Sequence, residues 1–163
     1  MKKHILGLAV IITLVWSSCI TPPEYPNEPE ITFIGFLKDT VRQAVDTNVI
    51  TISFTDGDGD LGAFDTDTIF NLFLTDTRLG TVFPYRIPYI EEQGVGNGIS
   101  GEIELRLLPS DNCCSSAVVT LPCQAEANAP DELVVYEVEI VDRAGNRSAP
   151  LILPAVTLYC VLD

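Results

Sequence analysis

The chain has one histidine, one tryptophan and one methionine, and all three, His4, Trp16 and Met1, lie within its first 18 residues. Beyond residue 18 there is none of any of them. Without histidine, Ser-His-Asp and Cys-His nucleophilic catalysis are excluded from that part of the chain, and so is the commonest zinc ligand. Basic residues are scarce as well: 9 Lys and Arg stand against 23 Asp and Glu, a formal net charge of −14. So acidic a chain is repelled by phosphate backbones and anionic lipid surfaces, so nucleic acid is not an expected partner. No segment after residue 18 shows a helical hydrophobic period. Carboxylates are abundant enough for a glycoside-hydrolase pair, but none sits in a recognisable catalytic context, so the expectation is not an enzyme.

What is present begins with "MKKHILGLAVIITLVWSSC". Lys2 and Lys3 precede an apolar run from Ile5 to Trp16 and then two serines before Cys19. The run is too short to span a bilayer as a helix, and the order basic, apolar, small is that of a secretory signal. With the cysteine directly after the small residues, the stretch resembles the lipobox of bacterial lipoproteins. That resemblance implies cleavage before Cys19, acylation of Cys19, and a location in the cell envelope, anchored by lipid to the outer membrane. Trp16 stands where the family usually has Leu. Cleavage after residue 18 leaves 145 of the 163 residues, and the loss of Lys2 and Lys3 takes the formal charge from −14 to −16. Residues 19–29 then form a lipidated tether with four prolines, extended and semi-rigid. One domain over residues 30–163 has a length that suits a single core.

Within that domain the pattern is alternation. "VITISFT" sets Ile50, Ile52 and Phe54 against Thr51, Ser53 and Thr55. "IFNLFLT" places Phe70, Leu72 and Leu74 on one side, "GEIELRL" Ile103, Leu105 and Leu107, and "VYEVEIV" Tyr136, Val138 and Ile140 against Glu137 and Glu139. A period of two with one apolar face is that of a half-buried strand. Further strands are expected at 31–37, 82–90 and 154–162, the second at a sheet edge because Pro84 and Pro88 would interrupt a central ladder. The fold class is therefore all-β, an antiparallel β-sandwich of about seven strands. "YEVEIVDRAGNRSAP" resembles the sixth strand and following turn of bacterial immunoglobulin-like and fibronectin type III-like domains, which implies that the sandwich is an immunoglobulin-like one. The whole chain is similar to small surface lipoproteins of Gram-negative bacteria, a resemblance that implies fold and location but no catalytic residues.

"FTDGDGDLGAFDTDT" (54–68) gathers Asp56, Asp58, Asp60, Asp65 and Asp67 with three glycines. In a sandwich, the loops after the second and sixth strands emerge at one end, which brings Asp142 and Asn146 of "DRAGN" to the same place. The arrangement is similar to that of cadherin-like domains, whose acids in those two loops hold calcium. Calcium takes six to eight oxygen ligands. Crowded carboxylates cost on the order of 1 kcal/mol per close pair even in water, a penalty that a cation reverses. The expected metal set is Asp56, Asp58, Asp60, Asp65, Asp67, Asp142 and Asn146, holding a structural calcium. An EF-hand does not fit, because position 6 would be Leu61 and a strand leads in. A solvated turn is the plain alternative.

Four cysteines remain besides Cys19. In an exported chain an even number reads as disulfides, with Cys113 and Cys114 each joined to Cys123 or Cys160, tying the loop over 109–131 to the last strand. A four-thiolate zinc site lacks the usual spacing. The function expected is a lipid-anchored, non-catalytic binding or adhesion module that presents its loop end away from the membrane, to another envelope protein or a glycan. The alternative is a carbohydrate-binding accessory lipoprotein of a polysaccharide-utilisation system. Its aromatic platform would be Tyr85 and Tyr89. A carboxylate-dependent hydrolase comes third.

Overall fold

The computed structural model describes residues 24–91, 98–115 and 129–160. Ten strands run through them: β1 (Glu30–Phe36), β2 (Thr40–Arg42), β3 (Asn48–Asp56), β4 (Leu72–Asp76), β5 (Thr81–Tyr85), β6 (Ile99–Leu107), β7 (Glu132–Val134), β8 (Tyr136–Ile140), β9 (Leu151–Ile152) and β10 (Val156–Tyr159). The helical content of the described residues is the 3-10 turn Pro109–Asp111 and the single 3-10 residue Ser115, so the class is all-β. No helix among them is long and apolar enough to cross a membrane.

The strands form three sheets, with orders β1-β3-β6, β2-β10-β7 and β5-β4-β8-β9. All pairings are antiparallel except that of β2 with β10. Ten strands exceed the seven expected because three long segments are interrupted. The first breaks into β1 and β2, the stretch 132–140 at Val135 and the last at Pro154. Glu137 pairs with Ile152 but Val134 with Val156, so the last segment carries one extra residue between β9 and β10, as at a β-bulge. Val135 is not idle there, since its carbonyl accepts both the backbone N–H and the hydroxyl of Thr77. As expected of its proline, β5 is an edge strand: it pairs only with β4, and Pro84 lies opposite Phe73.

Period-two burial holds residue by residue in β3, β4 and β8. Ile52, Phe54, Leu72, Tyr136, Val138 and Ile140 are buried in one apolar cluster that also takes Val41, Leu105, Val134 and Leu158. Residues of all three sheets therefore share one core. Ile52→Val should cost about 1 kcal/mol by urea denaturation, and Glu139→Ala on the opposite face less than about 0.5 kcal/mol. Equal sensitivity would contradict this register.

Phe70 departs from the expected face. It is exposed because β4 starts only at Leu72. In its place Asn71 is buried, accepting from the N–H of Ile87 at 2.6 Å and donating to the Ile87 carbonyl at 3.3 Å. At the other end of β4 the carboxylates of Asp76 and Glu132 flank Arg78, whose guanidinium also donates to the Cys113 carbonyl. Cys114 and Cys160, both fully buried, form a disulfide across a sequence separation of 46. Buried Gln43 brackets it, donating to the Cys160 carbonyl and accepting from the Cys114 N–H, each at 2.9 Å. Cys113 is disulfide-bonded as well; Cys123 lies outside the described residues.

Candidate metal centre

The acids lie where two strands run out. β3 ends on Asp56, and the chain then turns through Asp58, Gly59 and Asp60; Gly59 has a φ of 71°, a conformation that L side chains rarely adopt. β8 ends at Ile140, and two residues later Asp142 opens the second loop. The loops are stitched together. The backbone N–H of Arg143 donates to the Asp60 carbonyl at 3.3 Å, and its guanidinium reaches the carbonyls of Gly62 at 3.0 Å and Leu61 at 3.4 Å.

Asp56, Asp58, Asp60 and Asp142 consequently converge, each offering one carboxylate oxygen, with these atoms all within 4.8 Å of one another. Asp56 is 0 % exposed and Asp142 is also buried. One oxygen of Asp56 accepts the Leu61 N–H at 2.8 Å. Its other oxygen, Oδ1, is buried without a hydrogen-bond partner, as are Oδ1 of Asp58 and Oδ1 of Asp60. Burial, with the neighbouring charges of Asp58 and Asp60 added, pushes the Asp56 carboxyl up to about 6. Asp60 is raised too, by burial first and then by the charges of Asp142 and Asp58. Buried acceptors left without donors are destabilising by about 1 to 3 kcal/mol each. A hard cation at the shared point would satisfy all three at once.

The other residues of the expected set lie elsewhere. The Asp65 side chain is fully exposed, with its nearest cationic atom on Arg86 at 3.7 Å. Asp67 accepts the Phe64 N–H at 3.1 Å and closes a local turn. Asn146 stands beside the cluster but behind Asp142, donating from its backbone and side chain, at 2.7 Å each, to the two oxygens of Asp142. It orients that carboxylate. A second grouping, Cys114, Glu132 and Cys160, is explained by the disulfide, which leaves no thiolate there to ligate.

The sequence reading missed the strap in front of β1. The N–H of Gly57, between two of the acids, donates to the Pro26 carbonyl at 2.7 Å. A Cβ at this position would collide with the carbonyl oxygens of Tyr25 and Pro26, so the close approach requires glycine. Residues 24–29 thus meet the domain at the end that carries the acids, where Glu30 pairs with Thr55. The loop end lies on the side where residues 24–29 run in, not across the domain from them. Exposed side chains surround it: Phe64 stacks on Tyr89 with ring centroids 4.8 Å apart, and the Arg143 guanidinium lies 5.0 Å and 5.4 Å from the two rings. Tyr85, the other tyrosine of the expected platform, is half-buried and donates its hydroxyl to the Arg106 carbonyl at 3.3 Å.

No protein family, curated protein or solved structure matches the chain.

Proposed function

We propose that the protein is a lipid-anchored, non-catalytic binding or adhesion module of the cell envelope, an immunoglobulin-like sandwich whose loop end holds a structural calcium ion. The observation that carries the reading is the group of three buried carboxylate oxygens without a hydrogen-bond partner, converging with Asp142. Four carboxylates supply a hard divalent cation with the oxygen donors it prefers, and loop carbonyls and water complete six to eight ligands. Burial of those oxygens favours a structural role over an open catalytic one. The strand order supports the sandwich: a first segment divided between β3 and, in parallel, β10, with β4 beside β8, is the arrangement of immunoglobulin-like domains. Calorimetric titration of calcium into chelator-treated protein tests the metal reading, and absence of heat at millimolar calcium would leave the loop a solvated turn.

The anchor rests on the sequence around Cys19. Cys19→Ala should release the protein from the membrane fraction or leave its precursor uncleaved. A variant that is processed normally and stays in the detergent phase would exclude acylation at this residue. The carbohydrate-binding alternative has lost one ring of its platform, Tyr85, and now depends on Phe64 and Tyr89. A glycan array tests it.

A further inference from the structure

We infer that the calcium-loaded loop end is a membrane-facing surface, seating Phe64, Phe70 and Tyr89 in the headgroup layer of the bilayer that anchors the chain. The inference rests on the proposed lipid anchor. Four observations converge on it.

The first is reach. From Cys19 to Tyr25 is six residues, which fully extended span about 20 Å. At Pro26 the chain is already fixed to Gly57, beside the acids. An acyl chain on Cys19 therefore holds this end, and not the β4–β5 turn at the other end of the domain, within about 20 Å of the bilayer.

The second is where the exposed aromatics are. Large exposed apolar side chains are scattered over the domain, as on most proteins. Four of them are aromatic, and three of those four, Phe64 at 47 %, Phe70 at 55 % and Tyr89 at 41 %, border this end. Ile69, 52 % exposed, adds to the same rim. An exposed Phe–Tyr stack has an apolar body and a polar tip, the character that places aromatic residues at the membrane–water boundary.

The third is the position of the cation-bearing side chain. Arg143 leans on both rings and lines a shallow groove with Phe64, Ile69 and Asp142, so one guanidinium stands at headgroup level among the aromatics. The fourth is charge. A cluster of four carboxylates against a bilayer is repelled, and desolvating it is costly; an ion held among Asp56, Asp58, Asp60 and Asp142 cancels much of that charge, so the surface seats only when the site is filled.

The test uses the full lipidated chain in vesicles of phosphatidylethanolamine and phosphatidylglycerol with brominated acyl chains. Because the chain has no tryptophan after residue 18, Phe64→Trp places a single fluorophore on the surface, and Phe70→Trp gives a second position should the first disturb the ring stack. Leu79→Trp, in the β4–β5 turn, is the reference. With calcium, emission from positions 64 and 70 should shift to shorter wavelength and be quenched by bromine, that from 79 should stay as in water, and chelation should reverse the quenching. Water-like emission at 64 and 70, or equal quenching at 79, overturns the inference. Calcium heat in calorimetry with unquenched probes removes the membrane surface and keeps the metal centre. Quenched probes without calcium heat overturn both, because the surface is inferred to seat only with the ion bound. Protection of the probes by soluble polysaccharide without vesicles assigns the surface to a glycan and overturns the inference.

Discussion

Calcium added to chelator-treated protein should raise its melting temperature by roughly 15 °C at a thousandfold excess over Kd. An ion that binds only the folded chain adds RT ln(1 + [L]/Kd), about 4.1 kcal/mol at that excess, and a domain of this size shifts by several degrees per kcal/mol. Magnesium should do less, because it demands a tighter octahedral shell and gives up water reluctantly. Asp58→Asn removes one charge from the cluster and should blunt the response without unfolding the chain. Acidity should separate the two states further. The Asp56 carboxyl, raised to about 6 chiefly by burial, is protonated more readily in the folded than in the unfolded chain. The stability linked to it is complete below its unfolded value near 4 and is lost as pH rises through 6. The chelated protein should therefore melt higher at pH 5 than at pH 7, and the increment from calcium should be smaller at pH 5, where protons compete with the ion for the carboxylates, than at pH 7. Asp46 acts in the opposite sense but lower on the scale. Hydrogen bonds from Arg42 and Lys38 hold it below the usual carboxylate range, so its contribution is lost only as pH falls below about 4. Calorimetric scans at the two pH values, with and without chelator, check all of this. A chelated protein that melts lower at pH 5 than at pH 7 would contradict the burial of Asp56.

Replacing Cys114 and Cys160 together by serine should destabilise the protein by about 4 kcal/mol, the loop-closure value for their sequence separation of 46. The loss is larger than loop entropy alone if the new hydroxyls, introduced at two fully buried positions, find no partners. Alanine at both positions separates the two contributions. Gln43 gives a second handle on the same place: Gln43→Leu keeps the volume but leaves the Cys114 N–H and the Cys160 carbonyl, both bonded to its amide, without partners. Urea denaturation measures each variant, and peptide mapping of the non-reduced chain checks the bond itself. Midpoints unchanged in all of these variants would mean that the link carries no stability.

The parts of this protein legible in its sequence are those governed by nearest-neighbour chemistry. Ile50, Ile52 and Phe54 alternate with polar residues and are buried as that alternation requires, and Pro84 marks an edge because it has no N–H to give. The meeting of Asp142 with Asp56, Asp58 and Asp60 was also within reach, since strand order alone sends both loops to one end. Other features depend on partners far away in the chain. β2 is only three residues long and takes its identity from β10, where Thr40 lies beside Thr157; three residues carry no period to read. Phe70 continues the apolar rhythm of its segment, yet the buried amide of Asn71 bonds to Ile87 and delays the strand. Asp65 and Asp67 look like further ligands in a list of acids, but the Asp65 side chain is fully exposed and Asp67 is taken up by the turn from Phe64 to Asp67. The strap was hidden for a similar reason. Gly57 reads as a flexible spacer between aspartates, and only the packed chain gives it a proline carbonyl to hold.

The parallel pair of strands among the described residues gives the domain a mechanical character. Tension applied from the N-terminal side would first work against the bond from Gly57 to Pro26 and then against β1, which lies antiparallel to β3, and would reach β2 once β1 had been stripped away. β2 runs parallel to β10, flanked by bonds from Thr157 to Asp39 and from Gln43 to Tyr159. Two parallel strands pulled from opposite ends are loaded in shear, so their hydrogen bonds share the force and yield together rather than opening one by one. With the Cys114–Cys160 link just beyond β10, the last part of the described chain to give way under load from its N-terminal side would be the seam between β2 and β10.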